Sequence, residues 1–480
     1  MATVFQSYIG GRFRKSAAER ANPDINPSDR DDVIATVPVG TPEDVAAAVA
    51  AALDAQAAWR RMPGPARAEH LHRWSNVIGE RREEIARALM REVGKPIAEA
   101  RGEIARCEMI LRYYAGEAVR SIGEVIPAQA EGAFQFTLRE PVGVVGLITP
   151  WNFPAAIPMW KTAPALAFGN TVVLKPAEAA SHAGVLLAET AGQAGLPAGV
   201  FNVVVGSGSI VGDALVHAAD VGAISFTGST AMGLRVAESC ARRNIRFQTE
   251  MGGKNVVIVL PDADLDHAAR LTAAGAMRYA GQKCTATSRV VVVRDVHNAF
   301  MDKLHAAVDA LPLGPVDDAA AAVGPLINEA ARDFILDTLK GNGGRRIRGG
   351  TAPDDPRFAK GFFVTPAVID DVDPDSTFAQ DELFGPVLAV LTAHDLDDAL
   401  SLANRTRYGL SASIFTRDLG AALEYAHRIE AGLVRVNGDT TGVDPHAPFG
   451  GMKSSSSGTR EQGPAAREFY TEIKTVQIHP

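Results

Sequence analysis

Cysteine is scarce in this sequence: 480 residues contain three, at positions 107, 240 and 284. Three cysteines do not make a disulfide framework, which indicates a reducing compartment. Long apolar runs are also missing, since no uninterrupted stretch approaches the roughly 20 residues that a membrane helix needs. The first thirteen residues lack a basic segment followed by an apolar one, so no secretory signal is apparent. These absences predict a cytoplasmic protein with no membrane partner.

Charge of one sign is not concentrated anywhere in the chain. The formal net charge is −8, and the 48 basic and 56 acidic residues are intermixed. No basic stripe, zinc-knuckle spacing or alternation of aromatic and basic residues is present, which argues against a nucleic-acid partner. No His/Cys/Asp cluster suggests a metal site. The chain has instead 46% apolar residues, which at this length predicts two or three well-filled domains.

Two regions of the chain alternate short β-branched runs with helical segments. A helical first third precedes them, with predicted helices over residues 42–60 and 65–93. Strands that alternate with helices of this length predict the α/β class, with parallel sheets and right-handed connections. The first region carries predicted strands at 142–148, 171–174, 199–205 and 221–226 and helices at 181–194 and 209–219. The second carries a predicted helix at 265–279 and strands at 256–260, 289–293, 364–369, 387–391, 412–415 and 434–436.

The boundary between the two regions is expected near Met251-Gly252-Gly253. Segments 124–139 and 469–478 have strand-like character and lie outside both regions. Such segments can pair with each other, or with another subunit as exposed edges.

Cys284 is the cysteine with a reactive neighbourhood. Cys107 and Cys240 lie in stretches with helical apolar spacing, whereas Cys284 closely follows Gly281 and Lys283. A nearby cation or a free backbone N–H lowers the pKa of a thiol and makes the thiolate available. The alternative is a small buried hydrophobic residue, which is the commoner role of a lone intracellular cysteine. The rest of the chain favours the reactive interpretation.

Polar residues follow three predicted strands of the first region. Asn152 comes after strand 142–148, where an amide can donate a hydrogen bond to a developing oxyanion. Lys175 and Glu178 follow the next strand and can bind the hydroxyls of a ribose. The alternative for Asn152 is a capping residue in a proline-braced turn, and the alternative for Lys175 and Glu178 is a solvated ion pair. The run 228–233, Gly-Ser-Thr-Ala-Met-Gly, resembles a phosphate-binding turn before a helix, although it lacks the middle glycine of the usual fingerprint.

Two acidic segments accompany these strand ends. Glu250 precedes the Gly252-Gly253 bend and can act as a general base for a water molecule, with a helix-capping acid as the alternative. Glu382 and Phe384 precede a Gly-Pro turn, where the alternative is a loop with one buried phenylalanine.

These segments, in this order and spacing, resemble the aldehyde dehydrogenase superfamily. The resemblance covers nearly the whole chain, from the helix at 112–116 to the motifs Pro448-Phe449-Gly450-Gly451 and Gly458-Thr459-Arg460-Glu461. It implies an aldehyde dehydrogenase fold with a Rossmann-like cofactor domain, an α/β catalytic domain and a small β-extension for assembly into a homodimer or homotetramer. The cofactor domain would comprise residues 1–120 and 142–251, the catalytic domain 252–450, and the oligomerisation segments 121–141 and 460–480.

The resemblance also implies roles for individual residues. Cys284 would be the nucleophile and Glu250 the general base, while Asn152 and the backbone N–H of Cys284 would form the oxyanion hole. NAD would be the cofactor, with NADP as an alternative, because Glu178 would repel a 2′-phosphate whereas Lys175 can neutralise one. The cofactor-binding residues would be Ile148, Thr149, Pro150, Trp151, Lys175, Glu178, Gly208, Gly212, Phe226, Ser229, Met232, Met251, Gly252, Glu382 and Phe384.

The implied substrate is a small-molecule aldehyde with an acidic group. Segments 248–255, 441–446 and 461–463 look like those of the α-ketoglutarate semialdehyde (2,5-dioxovalerate) dehydrogenases, and the base Glu250 favours release of a free acid. A guanidinium binds a carboxylate through two parallel hydrogen bonds, which suits Arg106 and Arg278; the alternative places both on a helix surface. The predicted substrate-binding residues are Arg106, Phe153, Trp160, Arg278 and Thr285.

Two other functions compete with this interpretation. One is a general aliphatic, aromatic or succinate-semialdehyde-type aldehyde dehydrogenase, with Trp160 and Phe153 as hydrophobic walls. The other is a catalytically silent protein that keeps the fold, which the presence of Cys284, Glu250 and Asn152 disfavours.

Arg278 departs from the family pattern, in which an aromatic residue is commoner at that position.

Overall fold

Two mostly parallel sheets form the framework of the protein in a computed structural model that describes residues 3–120, 123–341 and 347–480. In sheet order, the eight-stranded sheet consists of Arg12–Arg14, Ser7–Ile9, Phe201–Val203, Thr171–Lys175, Val144–Ile148, Val221–Thr227, Arg246–Glu250 and Ser456–Ser457. The seven-stranded sheet consists of Ile347–Arg348, Ala367–Ile369, Val387–Ala393, Thr287–Val293, Asn255–Val259, Ser411–Phe415 and Leu433–Val436. The short segment between Glu250 and Asn255 carries the chain from the first sheet to the second.

The helices lie between these strands in the sequence. Those of the first half are Pro42–Arg61, Gly64–Glu80, Arg82–Val93, Ile97–Glu117, Ala156–Ala167, Ser181–Gln193, Asp213–His217 and Thr230–Arg242. Those of the second half are Leu265–Met277, His297–Asp309, Glu329–Lys340, Thr377–Gln380, Leu396–Asn404, Leu419–Arg428 and Ala466–Tyr470. Across the described ranges, no helix combines the length and apolarity needed to cross a membrane.

The central strands are buried along their whole length, as parallel strands covered on both faces require. Thr171–Lys175 and Asn255–Val259 show this most clearly, with every residue buried. One hydrophobic core surrounds the first sheet and the helices before it, and another surrounds the second sheet. The predicted α/β class with parallel sheets is therefore confirmed.

The strand-like segments outside these sheets pair with each other. Phe134–Pro141 runs antiparallel to Thr471–Ile478 over eight residue pairs and to the short strand Val125–Ile126. Within the predicted segment 460–480, the residues before this strand behave differently, because Phe469 and Tyr470 lie in the first hydrophobic core. A two-stranded sheet of Ala21–Ile25 and Val33–Pro38, and another of Tyr408–Gly409 and Met452–Lys453, were not predicted from the sequence.

Three predicted helices have different bounds in the structure. The helix predicted at 65–93 is two helices that meet at Arg81, whose backbone is not helical. The helix predicted at 209–219 is a π-helical turn at Gly208–Gly212 followed by Asp213–His217. The helix predicted at 265–279 ends at Met277, because Tyr279 and Ala280 adopt left-handed backbone conformations.

This left-handed turn controls where Cys284 lies. Tyr279, Ala280 and Gly281 have φ values of 57°, 52° and 67°, and such conformations cost about 1–3 kcal/mol for each non-glycine residue. A Cβ atom at Gly281 would lie 2.3 Å from the carbonyl oxygen of Gly385. The turn therefore needs glycine at position 281 both for its backbone angle and for its close packing.

We expect Gly281→Ala to lower the free energy of unfolding by about 1–3 kcal/mol, because it adds strain and a backbone clash. Thermal and denaturant unfolding measure the change. Gly116→Ala is the matched control, since Gly116 lies in a helix with no atom within 4 Å of an added Cβ, and we expect it to be neutral or stabilising. Equal stability of the two variants would show that the turn is not under this constraint.

Candidate active site

The carboxyl ends of the parallel strands of the first sheet open into a cleft. Val144–Ile148, Thr171–Lys175 and Val221–Thr227 are neighbours in this sheet and end on the same edge, where α/β proteins bind ligands. The cleft has a volume of about 420 Å³. Its lining includes the following residues from the predicted sets: Ile148, Thr149, Pro150, Trp151, Asn152, Lys175, Glu178, Phe226, Ser229, Met232, Met251, Gly252, Cys284, Glu382 and Phe384.

Two predicted cofactor residues lie outside this lining. Gly208 begins the π-helical turn, and a Cβ atom there would lie 4.0 Å from the Lys175 Nζ atom. Gly212 ends the same turn and is buried. Their contact with a cofactor stays a prediction. The cleft also includes Ala177 and Thr227, which the sequence patterns did not single out.

One end of the cleft carries Lys175 and Glu178. Lys175 is buried, and the loss of solvent lowers the pKa of its ammonium group to about 8. Glu178 Oε1 accepts a hydrogen bond from the side-chain amide of Asn22, which lies on the strand Ala21–Ile25. No sequence pattern links Asn22 to this site, because the two residues are 156 positions apart.

The other end of the cleft carries Glu382 and Phe384. Glu382 Oε1 accepts a hydrogen bond of 3.1 Å from the backbone N–H of Gly253. A Cβ atom at Gly252 would lie 2.1 Å from Glu382 Oε2, so this close approach requires glycine. Burial raises the pKa of Glu382 to about 7. Phe384 packs edge-on against the ring of Trp151, with 5.6 Å between the ring centroids.

Cys284 lies in this same end of the cleft and is half-buried as a residue. The loss of solvent around the sulfur, followed by the nearby Glu382 and Glu250, raises the pKa of the thiol to about 12. The backbone N–H groups of Thr285 and Cys284 hydrogen-bond the sulfur and oppose this rise. The Cys284 carbonyl oxygen is held by the side-chain amide of Asn255 at 2.8 Å. Cys284 therefore lies on a fixed backbone whose N–H groups face its own side chain.

Asn152 lies beside Cys284 in the cleft. Its Nδ2 atom donates to the carbonyl oxygen of Gln282 at 3.1 Å, and an amide nitrogen has a second N–H available. Its buried Oδ1 atom has no partner among the described residues. The Asn152 side chain is thus fixed in the cleft near Cys284 while retaining hydrogen-bonding capacity.

Glu250 ends the strand Arg246–Glu250 and is buried behind the cleft. Its Oε2 atom accepts a hydrogen bond of 2.5 Å from Ser456 Oγ, whereas Oε1 has no partner in the described part of the chain. Burial, and then the neighbouring carboxylate of Glu461, raise the pKa of Glu250 well above its usual range. A carboxyl group in this setting is a stronger proton acceptor than an exposed one once it is ionised.

Glu461 belongs to a buried cluster that the sequence motifs only partly reveal. It forms an ion pair with Lys161 and accepts a hydrogen bond of 2.7 Å from Trp160 Nε1. Lys161 also donates to Ser225 Oγ at 2.7 Å. The Trp160 ring packs against Phe449 and does not line the cleft, so its predicted role as a substrate wall stays a prediction.

A second cavity of about 500 Å³ adjoins the cleft, since Asn152 lines the cleft and the next residue, Phe153, lines the cavity. Arg278 lines this cavity and is exposed, and its side chain makes no hydrogen bond or ion pair with any residue that the structure describes, although the Glu99 carboxylate is close enough to feel its charge. Arg106 also lines it, but its Nη2 atom donates to the Val443 carbonyl oxygen. The two predicted arginines therefore share one cavity, and only Arg278 presents an uncommitted guanidinium group.

The remaining charges around this cavity are paired. Lys283 lies 2.8 Å from Glu99, and the buried Lys95 forms an ion pair with Glu103. Thr285, the fifth predicted substrate residue, is buried and faces Cys284 through its backbone N–H rather than lining the cavity.

Comparison with known proteins identifies the family to which the chain is similar. The aldehyde dehydrogenase family model matches residues 13–476. An alpha-ketoglutaric semialdehyde dehydrogenase of Bacillus subtilis is 44% identical over 480 residues, which cover 99% of this chain and 98% of that protein. An alpha-ketoglutarate semialdehyde dehydrogenase of Haloferax volcanii is 42% identical, with 99% of each chain covered.

A solved structure gives the same result for the fold. The NAD-dependent aldehyde dehydrogenase of Sinorhizobium meliloti is 37% identical and superimposes with a TM-score of 0.96, covering 99% of this chain and 95% of that one. Because the family model and these relatives match the chain from end to end, the resemblance predicted from the motifs is confirmed, and the protein belongs to the aldehyde dehydrogenase family.

Proposed function

We propose that this enzyme oxidises an acidic semialdehyde of the α-ketoglutarate semialdehyde class to the carboxylic acid, with NAD+ as the oxidant. One observation carries the proposal: Cys284 lies in a nucleotide-sized cleft that adjoins a cavity with an uncommitted guanidinium group, that of Arg278. The names of the Bacillus subtilis and Haloferax volcanii relatives support the same substrate class.

The cleft fits a dinucleotide. Glu178 at one end suits the hydroxyl groups of an adenosine ribose, and Glu382 at the other suits those of the nicotinamide ribose. The carboxylate of Glu178 would repel a 2′-phosphate, which favours NAD+ over NADP+. The NAD-dependent relative from Sinorhizobium meliloti agrees with this preference. When bound, the nicotinamide ring would accept a hydride from the substrate carbon.

The first chemical step belongs to Cys284. After the Cys284 thiol loses its proton to solvent, the thiolate adds to the aldehyde carbon, and the resulting alkoxide would lie next to Asn152 Nδ2 and the Cys284 backbone N–H. Removal of one such donor typically slows acyl chemistry by ~10²–10³-fold. Departure of hydride from the thiohemiacetal leaves a thioester on the sulfur.

Glu250 completes the reaction as a general base. Its Oε1 atom has no partner among the described residues, so it can accept a proton from a water molecule that attacks the thioester. A base of raised pKa accepts that proton more readily, but only the ionised carboxylate can act. The product carboxylic acid and the free thiol of Cys284 result.

We expect Glu250→Gln to keep a rapid burst of NADH and to slow steady-state turnover by about 10²–10⁴-fold, because the variant forms the thioester but lacks the base that hydrolyses it. Stopped-flow absorbance of NADH separates the two phases. Because the pKa of Glu250 is raised, the wild-type steady-state rate should increase with pH above the usual carboxyl range, and the variant should lack that increase.

Cys284→Ser is the control and should give no burst. A Glu250→Gln enzyme with no burst and equally slowed hydride transfer would contradict a role confined to thioester hydrolysis.

We expect Arg278→Ala to lower kcat/KM for an acidic semialdehyde about 10–100-fold, because a charge-assisted hydrogen bond to its carboxylate is lost. A neutral aldehyde of equal length should be affected much less. The measurement is the ratio of kcat/KM for the two aldehydes. Arg357→Ala is the matched control, since Arg357 forms an exposed ion pair with Asp355. An unchanged ratio in Arg278→Ala would favour a general aldehyde dehydrogenase.

The proposal extends to assembly and location. Val125, Phe134 and Ile473 are exposed on the three-stranded sheet, at 71%, 50% and 61% of their surface, which supports a homodimer or homotetramer. The scarcity of cysteine supports a cytoplasmic location.

A further inference from the structure

Glu178 is held by a residue that lies outside the cofactor-binding sheet. The side-chain amide of Asn22 donates a hydrogen bond to Glu178 Oε1. Asn22 belongs to the strand Ala21–Ile25, which pairs only with Val33–Pro38, and it does not line the cleft. Its contact is therefore with the back of the carboxylate rather than with a ligand in the cleft.

The same strand also lies beside Glu92, which holds the segment that follows Glu178. Asp24 is buried two residues after Asn22, and its carboxyl group lies beside that of Glu92. Glu92 in turn accepts the backbone N–H groups of His182 and Ala183, at 2.5 and 3.0 Å. These two residues lie in the first turn of the helix Ser181–Gln193.

The strand thus holds the segment 178–183 at both of its ends. Asn22 fixes the side chain of Glu178, and the Asp24–Glu92 pair fixes the start of the helix behind it. Burial raises the pKa of both carboxyl groups, which lie against each other behind the helix start. A backbone anchored in this way leaves Glu178 with little freedom except its own side-chain torsions.

We propose that Asn22 is a positioning residue that orients Glu178 for the adenosine ribose and thereby sets the preference for NAD over NADP. The inference depends on the proposed role of Glu178 as the ribose-binding carboxylate. With Oε1 held by the Asn22 amide, Oε2 remains to accept a ribose hydroxyl. Ordering a glutamate side chain costs conformational entropy, and the Asn22 hydrogen bond offsets that cost before the cofactor binds.

The fixed carboxylate also explains selectivity. A glutamate free to rotate can turn away from a 2′-phosphate, whereas one tethered by Asn22 keeps its negative charge in the ribose position. Loss of the tether should therefore weaken NAD+ binding and relieve part of the repulsion of NADP+. Both changes reduce the preference for NAD+.

Isothermal titration calorimetry of NAD+ and NADP+ with the full-length enzyme tests this without turnover. We expect Asn22→Ala to raise the Kd for NAD+ about three- to tenfold, as loss of one exposed hydrogen bond to a charged group allows, and to leave NADP+ binding equal or tighter. Asn22→Asp is nearly isosteric but sets two carboxylates against each other, so it should weaken NAD+ binding more than Asn22→Ala. Asn298→Ala, at an exposed asparagine away from the cleft, should change neither affinity.

A double-mutant cycle with Glu178→Ala assigns the effect. If Asn22 acts through Glu178, Asn22→Ala should have no further effect on NAD+ binding once Glu178 is alanine. The same loss in both backgrounds, or tighter NAD+ binding by Asn22→Ala, would overturn the positioning role while leaving Glu178 as the ribose ligand. Unchanged affinity of Glu178→Ala alone would instead overturn the ribose assignment, and the role of Asn22 with it.

Discussion

The backbone around Cys284 is the constraint on which the rest of the site depends. Three consecutive left-handed residues, Tyr279 to Gly281, end the preceding helix abruptly and direct the chain toward the edge of the first sheet. Contacts from distant segments compensate the strain. Tyr279 Oη donates a hydrogen bond to the Val93 carbonyl oxygen. The side-chain amide of Gln282 donates to the Pro325 carbonyl oxygen and accepts from the Ile327 backbone N–H. Strain of this kind persists only where the surroundings determine the conformation. In return, the Cys284 side chain is held in the lining of the cleft.

Burial then gives the carboxyl groups of the site their chemistry. Glu250 and Glu382 flank the same thiol, and the loss of solvent raises the pKa of each. A raised pKa destabilises the ionised form in the folded protein, so these groups are retained at a cost in stability. The cost is consistent with their proposed tasks. A base that abstracts a proton from water near neutral pH needs a pKa closer to neutrality than that of an exposed glutamate.

Local sequence patterns predicted most of this fold, because its strands and the turns after them are encoded in short runs of residues. Buried β-branched strands and the Gly, Pro and polar residues after them mark the edge of the sheet, and thirteen of the fifteen predicted cofactor residues line one cleft. The end of the helix at Met277 could not be predicted, since neither Met277 nor Arg278 is a Gly or Pro and tertiary contacts impose the left-handed Tyr279. Pairs such as Lys161–Glu461 and Asn22–Glu178 join residues 300 and 156 positions apart, for which a single sequence carries no signal.

The two arginines of the second cavity show why residue type alone does not assign a binding role. Arg106 and Arg278 carry the same group into the same cavity, yet Arg106 holds the loop at Val443 and lies 3.4 Å from Gln462 Oε1. The lysines nearby are matched by Glu99 and Glu103. A substrate carboxylate must break an existing contact to reach Arg106 or either lysine. Arg278 is the exception. Because the Arg278 side chain has no hydrogen bond or ion pair to lose among the described residues, binding of a carboxylate there has the smallest desolvation and exchange cost, which supports its proposed role in holding the acidic end of the substrate.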